Sequence, residues 1–169
     1  MNNDDKYHLA LGRFVDAFST AEHNLKFALA AVANIPRDTA KAIFSGVRVS
    51  VSISFIRRIY ESRTQDIPQD INDALSHMNT ILTERDQIMH YGGNFDGETL
   101  VTSTAPHTIH KKAIIKRRSL DDIDNMTKDL LTLGNMFMWI IIKDNPNSFR
   151  EAIDFLHQSG HVPFQYKPR

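Results

Sequence analysis

The chain has 169 residues, of which 41% are apolar and 24% charged, a composition that suits one folded domain with a substantial core and excludes a disordered segment. Twenty basic residues balance 20 acidic ones, so no global field favours a polyanion, and any attraction for one must come from a local patch. There is no cysteine, which excludes disulfides, thiolate metal sites and cysteine nucleophiles. The first residues, Met1-Asn2-Asn3-Asp4-Asp5, are polar and acidic, unlike a secretory signal. The longest apolar run, Met136 to Ile142, is far short of a bilayer span. A cytoplasmic location with no membrane contact is expected.

Tyr7, Leu11, Phe14, Phe18, Leu25, Leu29 and Val32 recur at three- and four-residue steps and predict a long first helix, ended by Asn34 and Pro36. A second helix is expected from about Asp38, with Phe44, Val47, Val51, Phe55 and Ile59 on one face. The same stretch also fits a strand, because Val47, Val49, Val51, Ile53 and Phe55 alternate with Arg48, Ser50, Ser52 and Ser54. Periodicity alone leaves the two readings open, and the helical flanks favour helix. The third helix is expected from about Ile67 to His90, with Pro68 in its first turn and a stripe of Ile71, Leu75, Met78, Leu82, Arg85 and Met89.

Between Gly92 and Arg118 the helical period disappears. Asp96-Gly97 is a strong hairpin signal, and Thr99–Thr104 and Thr108–Lys116 read as strands around Pro106. Ser119 and Asp122 form a capping box for a fourth helix carrying Ile123, Met126, Leu130, Leu133, Phe137 and Ile140 or Ile141. Ser148 and Glu151 cap a short fifth helix stopped by Gly160, and Pro163, Phe164, Tyr166 and Pro168 mark an extended tail. The expected fold class is all-α: a single domain over 1–169, an up-and-down helical bundle with a small β-hairpin, about 94–117, between helices three and four. The short helix and tail occupy about 148–169.

The chemistry concentrates at the end of the third helix, in Arg85-Asp86-Gln87-Ile88-Met89-His90, where Tyr91, Gly92 and Gly93 follow. A permanently charged cation and a titratable imidazole stand about one and a half turns apart. Together they are a minimal kit for phosphodiester cleavage, one clamping the phosphate and the other moving protons. Arg85 falls on the apolar stripe, and an inward arginine is costly unless paired or facing a cavity. Glu22, four residues after Phe18 and three before Leu25, also falls within its own helix's stripe and is the natural partner. The pair either links two helices or presents the guanidinium to a phosphate, and the residues leave both readings open. His90 is in the last turn, where the helix dipole favours a cation, and Asp86 precedes it by one turn and can orient its ring.

This arrangement resembles the HEPN family, whose metal-independent ribonucleases carry an Arg-x(4–6)-His motif at the end of a helix in an all-helical context, often with Asn, Asp or His right after the arginine. That position is Asp86 here. The resemblance implies a homodimer in which two Arg85–His90 motifs face one cleft and cleave RNA through attack by its own 2′-hydroxyl, with no cofactor and no metal. Arg85 and His90 would be catalytic and Asp86, Glu22 and Tyr91 supporting. A toxin or host-defence role, with an antitoxin or defence-system partner, would follow. The alternative is a non-catalytic HEPN-like module binding a nucleotide or protein, and a structural helical adaptor remains a third reading.

Arg57 and Arg58, and His110, Lys111 and Lys112 within the basic stretch His107–Arg118, are the expected RNA-guiding residues; the stretch fits a solvated strand edge equally well. His77, His157 and His161 lack carboxylates at metal-ligand spacing. In Met136–Ile142 one face cannot hold every apolar side chain, which leaves Met138, Trp139 and Ile142 either for an interface or for cover by helix five and the tail.

Overall fold

The computed structural model describes residues 3–91, 94–96, 99–103, 115–142 and 164–168, and these form a mainly helical chain with one small sheet. Helix α1 spans Asn3–Ala33 and buries Tyr7, Ala10, Phe14, Ala17, Phe18, Ala21, Leu25, Ala28 and Leu29 at the expected steps. Asn34 ends it in the left-handed region at φ 55°. The Ile35 amide returns to the Ala30 carbonyl and the Asn34 amide to that of Ala31, the paired bonds of a Schellman stop.

The helix expected from Asp38 is two helices, α2 (Arg37–Phe44) and α3 (Val49–Ser62). They break at Ser45–Arg48, where Gly46 lowers the cost of leaving the helix and Arg48 is extended at ψ 152°. The helical reading of Val49–Phe55 holds and the strand alternative fails. Val49, Ser52, Ile53 and Ile56 are buried at helical spacing while Val51 is exposed, which a strand's period of two would not give. A second Schellman stop ends α3, with Thr64 at φ 52°.

Helix α4 (Gln69–Tyr91) is the expected third helix, but its buried stripe is rotated from the expected one. Ile71, Ala74, Leu75, Met78, Ile81, Glu84 and Ile88 face inward, while Met89 is exposed and Leu82 and Arg85 are half-buried. The sheet is antiparallel, in the order β1 (Asn94–Asp96), β2 (Thr99–Ser103) and β3 (Ile115–Ser119). Asp96 pairs with Thr99 and Thr99 with Ser119. Of the expected strand Thr108–Lys116 only Ile115 and Lys116 are described; both lie in β3, which runs on to Ser119, and Asn94–Asp96 adds a third strand. Residues 104–114 lie outside the described residues.

The capping box forms as read: the Ser119 amide donates to Asp122 Oδ2 at 2.8 Å and the Asp122 amide to Ser119 Oγ at 3.1 Å. It starts α5 (Leu120–Ile142), which buries Ile123, Met126, Leu130, Leu133, Met136 and Phe137. Helix α5 packs along α1, where the Asn24 side-chain amide donates to the Gly134 carbonyl at 3.0 Å. Met138 is 37% exposed, and the side chains of Trp139, Ile141 and Ile142 lie outside the described set, as does the expected helix over 148–160. Among the described residues no helix is long and apolar enough to cross a membrane.

Candidate active site

The end of α4 separates two kinds of charged residue. Arg85 leans over the Phe18 ring of α1, its guanidinium carbon 5.3 Å from the ring centroid, and its Nη1 donates to Asp86 Oδ1 at 2.9 Å. Both side chains reach solvent, with relative exposures of 35% and 49%. His90 and Tyr91 are exposed. On a helix, Arg85 and His90 are roughly 140° apart around the axis, whereas Asp86 lies about 40° from His90. By holding the guanidinium, Asp86 draws the arginine toward the flank that His90 occupies.

The expected Arg85–Glu22 pair does not form. Glu22 is half-buried and pairs with Lys26 at 2.9 Å, one turn along its own helix. The reason is the rotation of α4: Arg85 lies at the margin of the core rather than within it, so it needs no buried counter-charge. Glu22 therefore has no supporting contact with Arg85, and the carboxylate beside that guanidinium is Asp86. Arg57 Nη2 donates to Ser76 Oγ at 2.9 Å and ties α3 to α4, while Arg58 is exposed. His110, Lys111 and Lys112 fall outside the described residues.

The buried charge on α4 is Glu84, one residue before the expected position and 3% exposed. Strand β3 brings its partners. Arg118, itself 2% exposed, directs Nε (2.8 Å) and Nη2 to Glu84 Oε2, and Lys116 Nζ reaches Oε1 at 2.7 Å. Arg118 also donates from Nη1 to Thr102 Oγ1 at 2.7 Å and from Nη2 to Gln87 Oε1 at 2.9 Å. Burial pushes the Glu84 carboxyl up, but the hydrogen bonds and charges of Lys116 and Arg118 prevail and hold it below its ordinary value. Burial also pushes the phenol of Tyr7 up, against the opposing charge of Arg118. The sequence signal that could have shown this cluster is the run Lys116-Arg117-Arg118 directly before the Ser119 cap, since a strand leading into a buried helix must turn alternate side chains inward.

Beside the cluster is a pocket of about 410 Å³, lined by Glu84, Ile115, Lys116, Arg117, Arg118, Asp122 and Tyr166. Tyr166 belongs to the C-terminal strap, whose described residues, 164–168, form neither helix nor strand. The strap is fixed through Asp129 on α5, a buried carboxylate that accepts from the Gln165 amide at 2.8 Å and the Tyr166 amide at 2.7 Å. His77 Nε2 of α4 lies 2.9 Å from the same carboxylate, and its ring stacks on Phe164 at 4.1 Å. The histidine set aside as a metal ligand thus joins α4, α5 and the strap. Among the described residues no three His, Asp or Glu side chains are grouped to hold a metal ion. No protein-family model, curated protein sequence or solved structure matches this chain.

Proposed function

We propose that this chain is a HEPN-like, metal-independent endoribonuclease that acts as a homodimer, with its helices forming the up-and-down bundle of that family. The observation that carries the reading is the placement of Arg85 by Asp86 at the solvent-reaching margin of α4, about one and a half turns before an exposed His90. A guanidinium kept at the core margin by a ring and a carboxylate is pre-organised yet still able to reach a phosphate. The exposed imidazole in the last turn of the same helix would then act on that phosphate's ester oxygens.

In the proposed reaction the RNA 2′-oxygen forms a new bond to the adjacent phosphorus and the bond from phosphorus to the 5′-oxygen breaks. The products are a cyclic phosphate and a 5′-hydroxyl. One His90 takes the proton of the 2′-hydroxyl, and His90 of the second copy gives one to the departing 5′-oxygen. Arg85 balances the charge that builds on the phosphoryl oxygens, and Asp86 fixes its fork. Because each chain supplies one histidine, acid and base together require two copies facing one cleft. The exposed Met89 and Tyr91 flank His90 and offer apolar surface for that pairing. RNA in the cytoplasm is the proposed substrate, and an antitoxin or defence-system protein the proposed partner.

Substitution His90→Ala tests the reading. Cleavage of RNA should fall by about 10²- to 10⁴-fold, the usual worth of a general acid or base. The melting temperature should not move, because the side chain is exposed. Undiminished cleavage by the variant would remove His90 from the reaction. Wild-type protein that binds RNA without cutting it would favour the binding-module reading.

A further inference from the structure

A further pocket, of about 240 Å³, lies between α1 and α2, and neither the proposed reaction nor the buried Glu84 cluster draws on it. Helix α1 contributes His23, Lys26 and Phe27 to its lining, and α2 contributes Ala40, Lys41 and Phe44. We propose that it binds a small aromatic carboxylate, with the ring system against the two phenylalanines and the carboxylate on Lys41. The site does not depend on the ribonuclease reading.

The pocket follows from the sequence of α2. In this eight-residue helix the buried positions are Ala40 and Phe44, one turn apart and 3% and 8% exposed. Ala40 is small, so where α2 meets α1 it leaves room that Phe27 and Phe44 border without filling. Phe27 is half-buried, and the His23 ring meets it edge-on, with centroids 4.5 Å apart and planes at 90°. A planar guest therefore finds aromatic partners, which attract rings by more than the area they cover. An apolar cavity of about 150 Å³ takes up benzene, so the space here suits a somewhat larger ring system.

Charge fixes the other end of the guest. No carboxylate lines the pocket, and one of its two ammonium groups is already committed. Lys26 pairs with Glu22 at 2.9 Å and donates to the Ser45 carbonyl at 3.4 Å, where it also offsets the negative pole at the end of α2. Lys41 is exposed, and among the described residues no carboxylate pairs with it, Asp38 three residues earlier included.

One uncommitted ammonium at the rim of an apolar floor matches a guest with one negative charge and an apolar body. A phosphate monoester carries about two charges and would meet too little cation. It would also find no free backbone N–H groups, because the pocket is at the carbonyl end of α2, where the Ser45 amide is already bonded to the Lys41 carbonyl.

The test titrates full-length protein with naphthoate and, in parallel, with uncharged naphthamide, following backbone amide chemical shifts at low salt. Naphthoate should saturate, with shifts centred on His23, Phe27 and residues 40–45, and should bind more tightly than naphthamide. Lys41→Met should weaken naphthoate about two- to five-fold, the worth of one solvent-exposed ion pair, and leave naphthamide unchanged. Ala40→Leu should weaken both ligands about ten-fold or more, since the guest and the longer side chain compete for one volume. If that buried substitution prevents folding, the exposed Lys41→Met still decides. No saturable shift in the wild type, or shifts centred elsewhere, would overturn the proposal. Equal affinity for acid and amide, unchanged in Lys41→Met, would overturn it as well, as would naphthyl phosphate binding more tightly than naphthoate.

Discussion

Glu84 and Arg85 are neighbours in sequence and opposite in circumstance. Glu84 is almost wholly buried, with both oxygens bonded to cations from β3. Arg85 is partly in water, held by its sequence neighbour and the face of Phe18. A turn of about 100° per residue is enough to carry one side chain into the core and leave the next at its edge. Ion pairing is structural at Glu84 and left open to solvent at Arg85. The fully paired cluster holds the sheet to the helices, while the lightly held pair keeps an exposed face.

The sharpest way to break this contrast is to delete each partner. Glu84→Ala leaves Arg118 buried without its counter-charge and should cost about 3–5 kcal/mol of folding stability. Arg85→Ala removes a half-exposed pair and a cation–ring contact and should cost no more than about 1 kcal/mol. Urea unfolding of the two variants measures both. Similar losses would mean that Arg85 is as structural as Glu84 and would weaken its assignment to the site.

Acid sharpens the same comparison. The folded carboxyl of Glu84 is held below its ordinary value of 4.5, so its contribution is present above that value and is lost as pH falls through the folded pKa. Wild-type stability should therefore drop with decreasing pH in the range below 4.5, and Glu84→Gln, though less stable at neutral pH, should show a flatter acid limb. An unchanged acid limb in the variant would show that other carboxylates dominate.

The contrast also marks where the sequence was legible. The long helices and the capping box of Ser119 and Asp122 rest on local chemistry that a one-dimensional pattern carries. The phase of α4 does not. Leu82 and Met89 are apolar and drew the expected stripe toward Arg85, but the inward face is completed by Ala74, Ile81 and Ile88, and small alanines give a weak signal. Buried Glu84 carries no local signal, because its partners come from a strand more than 30 positions away in sequence. Arg85 and His90 were legible as a motif, whereas the role of Asp86 as the partner of Arg85, in place of Glu22, followed only from the packing. The same holds for Asp129: three donors from two distant segments meet it, and nothing in its local sequence announces them.

That carboxylate supplies a case between the two extremes, buried like Glu84 yet bonded mainly to neutral groups. Asp129→Ala should leave the Gln165 and Tyr166 amides without their acceptor and cost about 1–3 kcal/mol. Most of the effect should be local. Amide exchange at Gln165 and Tyr166 should accelerate while the centres of α1 and α5 keep their protection. Uniform acceleration would instead make the strap part of the global folding unit.

The smallest expected effect lies where charge plays no part. Asn34 and Thr64 end α1 and α3 with the same pair of reverse-turn bonds and nearly the same φ, 55° and 52°. Asparagine tolerates that region, but a β-branched threonine does not, since its Cβ substituents crowd the backbone. Glycine at position 64 would remove the crowding, whose cost is of order 1–2 kcal/mol, and return part of the gain as entropy in the unfolded chain. Thr64→Gly should therefore raise stability by somewhat less than about 1 kcal/mol, net of both terms. Asn34→Gly, with little crowding to relieve, should be neutral or slightly unfavourable. Thermal melts of the two variants give the comparison, and a Thr64→Gly protein less stable than wild type would show that its 2.7 Å bond from Oγ1 to the Arg63 carbonyl outweighs the strain.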